Sequence, residues 1–157
     1  MNLNKIFNKH ELIKYIVNLR HENLEIGFAN GCFDLLHEGH LSLLSESKKR
    51  CDFLIVGLNS DTSVKLLKGN DRPIENESIR LEKLSNIKDV DAVILFTEET
   101  PLNIIKKLLP NILFKGADYR NKNVVGSEII IKNGGKIEFI DILDGFSTTN
   151  IIKNSSI

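Results

Sequence analysis

The chain has 157 residues, with 21 Lys or Arg against 21 Asp or Glu, two Cys, no Trp and 41% hydrophobic residues. That length and apolar content fit one soluble domain spanning 1–157 with a real core. A net charge of zero excludes a protein devoted to coating nucleic acid or an anionic membrane, since such partners need clustered excess positive charge. Two cysteines are too few for a disulfide framework and lack paired metal spacing, so a reducing compartment is expected. No apolar run approaches the ~20 residues of a membrane span, and the N-terminal segment lacks the continuous apolar stretch of a signal peptide. The expected location is the cytoplasm.

Asn8 to Arg20 carries Leu12, Ile13, Ile16, Val17 and Leu19 at mostly helical spacing, which predicts an amphipathic helix (within residues 1–22) packed on the domain. A short apolar run, 24–29, reads as a strand that breaks at Asn30-Gly31 before a helix beginning near Glu38. The alternation recurs with strands at 53–58, 92–96, 112–114 and 137–142. Helices are expected at 79–87, at 102–109 after Pro101, at 124–132, and from Ser147. Five apolar, largely non-alternating strands separated by helices predict a doubly wound parallel α/β sheet, Rossmann-like, covered on both faces. Ligands bind such sheets beyond the carboxyl ends of the strands, so the loops there are where chemistry is sought.

Four groups of residues fall in those loops. His37-Glu38-Gly39-His40 stands at the entry to a helix, and a His-x-Gly-His match has on the order of 0.006 expected occurrences in a chain of this composition. Histidines at i and i+3 share a helix face, Gly39 lets a phosphate approach the backbone, and a helix N-terminus is an anion site. Two imidazoles there suit a triphosphate whose bridging oxygen is departing; the plainer alternative is a helix cap. A zinc site is disfavoured, because no Cys or carboxylate joins the two histidines at ligand spacing. Lys65, Lys68, Arg72 and Arg80 form the second group, either a solvated helix face or cations that hold mutually repelling phosphates. Lys115-Gly-Ala-Asp-Tyr119 reads as a turn or as backbone that a flat base can approach. Gly145-Phe-Ser-Thr-Thr149 reads as an N-cap, a second phosphate cradle, or both.

Asn30-Gly-Cys-Phe-Asp-Leu-Leu-His-Glu-Gly-His40 resembles the signature of the cytidylyltransferase-like nucleotidyltransferases. Asn59 to Gly69, Arg72-Pro73, Lys115 to Tyr119 and Gly145 to Ile152 extend the resemblance to the adenylyltransferase domain of the bifunctional heptose kinase/adenylyltransferases, here as a stand-alone version of that half. The resemblance implies transfer of AMP from ATP to D-glycero-manno-heptose 1-phosphate, with release of pyrophosphate and Mg²⁺ accompanying the nucleotide. It implies catalytic roles for His37, His40, Lys68 and Arg80, with Lys65 and Lys68 on a mobile loop over the phosphates and Arg80 contacting them from the next helix. It implies nucleotide contacts at Gly31, Phe33, Gly39, Lys65, Lys115, Gly116, Asp118, Ser147, Thr148 and Thr149, and substrate contacts at Asp34 and Arg72. Asp34 is open between orienting the loop, helping to hold Mg²⁺ and touching the sugar. Cys32 reads as a small packing residue. The alternative is a CTP-dependent cytidylyltransferase acting on glycerol 3-phosphate or another polyol phosphate; the Arg-Thr that commonly precedes the last motif in those enzymes is absent before Gly145. A non-enzymatic nucleotide sensor would be expected to have lost a member of the catalytic set, and none is lost. Pairing through apolar helix faces makes a homodimer the expected assembly.

Overall fold

A computed structural model describes residues 2–141. Six parallel strands, β1 (Ile6–Phe7), β2 (Ile26–Gly31), β3 (Phe53–Asn59), β4 (Ala92–Phe96), β5 (Ile112–Gly116) and β6 (Lys136–Ile140), form one sheet in the order β1-β4-β3-β2-β5-β6. The helices are α1 (Lys9–His21), α2 (Glu38–Lys48), α3 (Asp61–Lys68), α4 (Glu77–Ser85), α5 (Leu102–Leu108) and α6 (Ser127–Lys132).

Because successive strand residues face opposite ways, a sheet covered on both sides needs apolar residues at nearly every position. The core divides accordingly. Phe28, Ile55 and Ile94 pack with Leu12 and Ile16 of α1, Ile104, Ile105 and Leu108 of α5, and Ile130 of α6. Their immediate neighbours Ala29, Leu54, Val56 and Val93 pack on the opposite face with Leu44 of α2 and Leu84 of α4. At the crossing of β2 and β3 a Cβ on Gly57 would lie 2.6 Å from Phe28 Cζ, so glycine is what lets Phe28 fill that face.

The expected doubly wound architecture is present, with three corrections. First, β1 is an additional strand on the β4 edge; two residues are too short to produce a periodic pattern. Second, β2 runs on through Asn30-Gly31, where the sequence predicts a break: Asn30 and Gly31 pair with Gly57 and Leu58. Third, Lys65 and Lys68 lie on a helix, α3, and not on a loop. Ser60 caps it by accepting from Ser63 N (3.1 Å), and Gly69, at φ +96, ends it in a conformation that glycine adopts without strain. The helix expected from Ser147, and with it Ser147, Thr148 and Thr149, lies outside the described residues. Among the described residues no helix is long and apolar enough to cross a membrane.

Candidate active site

The sheet reverses its winding between β2 and β5: β3 and β4 extend it to one side of β2, whereas β5 and β6 lie on the other. Lys115 Nζ donates to Asn30 Oδ1 (3.1 Å) across that switch point, and the crevice beyond it is where doubly wound sheets bind ligands. A cleft of about 470 Å³ opens there. It is lined by Asn30 and Gly31 of β2 and Cys32 just after it, Asn59 from β3, Leu67 and Lys68 from α3, Glu99 to Pro101 beyond β4, Lys115 of β5, and Tyr119, Asn123 and Val125 beyond β5.

The β2–α2 loop delivers the two histidines. His37 is the N-cap of α2: its Nδ1 accepts from His40 N, and His40 Nδ1 accepts from His37 N, both at 3.4 Å. The rings stack with centroids 3.7 Å apart, and Phe33 stands edge-on to His40 at 5.1 Å. This reciprocal capping fixes chemistry as well as position. With each Nδ1 accepting a backbone N–H, the proton of the neutral imidazole belongs on Nε2, so that each ring donates through its Nε2 edge. Burial lowers the pKa of His37, and burial, with the charges of His37 and Lys68, lowers that of His40 to about 4. Both rings are therefore neutral donors near pH 7, and formal positive charge must come from lysines. Gly39 is buried beneath them in the first turn of α2.

The loop holding them is over-determined. Phe33 (φ +46) and Leu35 (φ +56) both occupy the left-handed region, costly for such side chains. Asp34, between them and 1% exposed, accepts from Arg72 Nε (2.9 Å), Ile74 N (2.7 Å) and Glu75 N (3.0 Å). Burial alone would raise its pKa, but the hydrogen bonds from Glu75, Ile74 and Arg72 outweigh it and hold the carboxyl below the ordinary range. Of the alternatives left open for Asp34, orienting the loop is the one this geometry performs. Arg72 is thereby tied to the loop, and its Nη2 is buried without a hydrogen-bond partner.

Arg80 requires a correction. The expectation was direct contact with phosphate, but its side chain is fully buried. Nε donates to Glu75 O (2.9 Å), Nη1 to Cys32 O (2.8 Å) and Asn59 O (2.7 Å), and Nη2 pairs with Asp61 Oδ1 (2.8 Å). One guanidinium thus joins the histidine loop, the end of β3, the start of α3 and the segment before α4. Planar, multiply donating Arg suits such a task and Lys does not.

Of the other expected residues, Gly31, Lys68 and Lys115 line the cleft. Lys65 is exposed one turn before Lys68 on α3. Gly116 ends β5, and Asp118 lies in the single turn of 3-10 helix that follows. Burial lowers the pKa of Lys115, with Asp118 opposing, and its ammonium lies 4.9 Å from the Tyr119 ring centroid. Cys32, expected as packing, lines the cleft; burial raises its thiol pKa against the opposing charges of Lys68, Arg80 and Arg72, so it is no ready nucleophile. Asn30, Asn59 and Tyr119 belong to the sequence motifs without having been assigned a role, and Glu99, Thr100 and Asn123 were not expected. Those last three are single polar residues without diagnostic spacing, and the signal that could have found them is their place beyond the ends of β4 and β5.

A family model described as cytidylyltransferase-like matches residues 28–154. The chain is 50% identical over 145 residues to the bifunctional protein HldE of Nitrobacter winogradskyi, an alignment covering 92% of this chain and 30% of that protein. It therefore spans about 30% of the length of the first curated relatives it matches. Among solved structures, a lipopolysaccharide core biosynthesis protein from Thermoplasma volcanium superposes with a TM-score of 0.61 at 33% identity, covering 76% of this chain and 97% of the other. A pantoate-beta-alanine ligase from Francisella tularensis superposes with a TM-score of 0.62 over 96% of this chain and 76% of the other, and at 18% identity it shows the shared fold.

Proposed function

The chain belongs to the cytidylyltransferase-like family, and from that premise we propose that it transfers AMP from ATP to the phosphate of D-glycero-manno-heptose 1-phosphate, releasing pyrophosphate and forming ADP-heptose. The observation that carries the reading is the reciprocally capped His37–His40 pair at the N-terminus of α2, with Lys68 close enough for its charge to act on His40.

The acceptor phosphate is already an anion and needs no general base. One of its oxygens forms a bond to the α-phosphorus as the bond to the bridging α–β oxygen breaks, and the electron pair leaves with pyrophosphate. Catalysis then consists of alignment and charge stabilisation. The Nε2–H groups of His37 and His40 donate to phosphate oxygens, and Lys68, with Lys65 one turn earlier, supplies charge. Asp34 and Arg80 hold the loop and helix that carry those groups. Gly31, Phe33, Lys115, Gly116 and Asp118 stand on the nucleotide's side of this reading, and Arg72 on the acceptor's. Mg²⁺ is assigned to the phosphates of the nucleotide, where it would neutralise charge. Among the described residues no three His, Cys, Asp or Glu gather as a ligand set, and the Asp34 oxygens are engaged with Arg72 and backbone N–H groups.

ATP over CTP is supported by the sequence before Gly145, which has no Arg. The heptose is supported by the sequence resemblance, and a role in envelope glycan synthesis by the name of the Thermoplasma relative. A cytoplasmic location accords with a nucleotide substrate. The test is pyrophosphate release from a panel pairing ATP or CTP with heptose 1-phosphate, glycerol 3-phosphate and other sugar 1-phosphates. Turnover with ATP and heptose 1-phosphate is expected; preferential turnover of CTP with glycerol 3-phosphate would overturn the reading.

A further inference from the structure

The cleft is not uniform in charge. Its cations are Lys68 of α3 and Lys115 of β5. On the β4 side the lining is Asn59, Glu99 and Thr100, and β4 is separated from β5 by β3 and β2. A carboxylate in a phosphate-binding cleft repels the phosphates, so Glu99 is poorly suited to that part of either substrate. It is well suited to accept hydrogen bonds from hydroxyl groups.

Three details show that this side is preorganised. Asn59, 2% exposed, donates from Nδ2 to Ser63 Oγ (2.9 Å), and that hydroxyl donates to Glu98 O (2.5 Å), tying the side chain of Asn59 to the 98–100 segment. That bond fixes the orientation of the amide, whose Oδ1 is an acceptor. Thr100 Oγ1 accepts from Leu102 N (3.4 Å), which leaves its own proton to donate. The neighbouring carboxylate, Glu98, is taken up by Asn103 and backbone N–H groups, whereas among the described residues Glu99 makes no ion pair or side-chain hydrogen bond. Acceptors on Asn59 and Glu99 and a donor on Thr100 match a polyhydroxylated and uncharged surface.

We propose that the β4 side of the cleft is the hydroxyl-recognition subsite for the sugar of the acceptor, with Glu99 as its specificity-determining residue and Asn59 and Thr100 as its supporting partners. The inference rests on the nucleotidyl-transfer reading above and adds which residues choose the sugar. Hydroxyls held by Glu99, Asn59 and Thr100 would orient the acceptor so that its phosphate points toward Lys68 and the histidines.

The experiment compares the intact chain with Glu99→Ala, Glu99→Gln and Thr100→Val, measuring kcat and KM separately for ATP and for heptose 1-phosphate. Losing a charged hydrogen bond to a hydroxyl predicts a rise of at least about tenfold in the KM for the sugar phosphate in Glu99→Ala. Glu99→Gln, whose amide oxygen still accepts, should show a smaller rise, and the KM for ATP should stay within about twofold in both. Glu99 is exposed, so the thermal transition should not move. An active wild type whose Glu99 variants keep their sugar-phosphate KM, or raise the ATP KM equally, overturns this inference and leaves the reaction standing. A wild type that releases no pyrophosphate with any sugar phosphate overturns the reaction and the subsite together.

Discussion

Replacing Arg80 separates two roles that a buried cation near a phosphate site can have. In the structure its guanidinium makes four hydrogen bonds, three to carbonyls and one to Asp61. Arg80→Met would leave those carbonyls without a donor and a carboxylate without its counter-charge. Asp61 is half-buried and can hydrate, so most of the cost, about 3–5 kcal/mol, comes from the three orphaned carbonyls. For a domain of this size each kcal/mol lowers Tm by about 2–4 °C, so a drop on the order of 10 °C is expected by calorimetry. Arg80→Lys should recover little of it, because an ammonium cannot reach the same acceptors in the same plane. The kinetic consequence should follow from lost placement of α3 and the histidine loop. Asp61→Asn should then reproduce part of the Arg80 phenotype, and the double variant should lose less than the sum, with a coupling of about 1–3 kcal/mol. The reasoning is refuted if Arg80→Lys keeps the wild-type Tm but raises the KM for ATP many-fold, while Asp61→Asn changes nothing. That pattern would make Arg80 a phosphate ligand.

His40→Ala should lower kcat by at least ~100-fold with the fold intact, and near-normal turnover in a folded variant would remove the motif from the mechanism. The lowered pKa of His40 also predicts a pH dependence of stability. Its folded value of about 4 lies below the unfolded 6.5, so the unfolded chain binds the extra proton between them. The contribution, up to roughly 3 kcal/mol, is full above pH 6.5 and disappears as pH falls toward 4. Denaturant titrations across that range should show the loss in wild type and a smaller one in His40→Gln; identical slopes would contradict the assignment. Lys68→Ala should change Tm by less than about 1 °C, since an exposed cation adds little to stability, while raising the KM for ATP; parallel losses in Tm and activity would indicate a structural role. Asp34→Asn should destabilise the 72–75 segment, visible as faster amide exchange at Ile74 and Glu75, and unchanged exchange would refute the anchoring role.

The parallel sheet was legible because burial on both faces forces apolar runs, and residues such as Phe28-Ala29 and Leu54-Ile55-Val56 divide between the two cores. The histidine pair was legible because its spacing and its place after a strand are improbable together. What escaped had no periodic signal. The α3 helix follows β3 after a single residue, and its start is set by the Ser60 cap and by Asp61 pairing with Arg80, a partner 19 residues away. The roles of Arg80 and Asp34 escaped for a related reason: composition shows a charge but not whether it is buried, and both side chains reach across loops that only the folded chain brings together. Glu99 and Asn59 are ordinary residues made distinctive by the cleft.

Attack on the α-phosphorus of ATP by a sugar 1-phosphate can be followed by phosphorus NMR of a reaction containing the protein, Mg²⁺-ATP and heptose 1-phosphate. The expected result is a pair of coupled diphosphate resonances from a nucleoside diphosphate sugar, appearing together with pyrophosphate. ADP and a second phosphorylated sugar, or ADP and inorganic phosphate, would place the chemistry at the γ-phosphorus and contradict it.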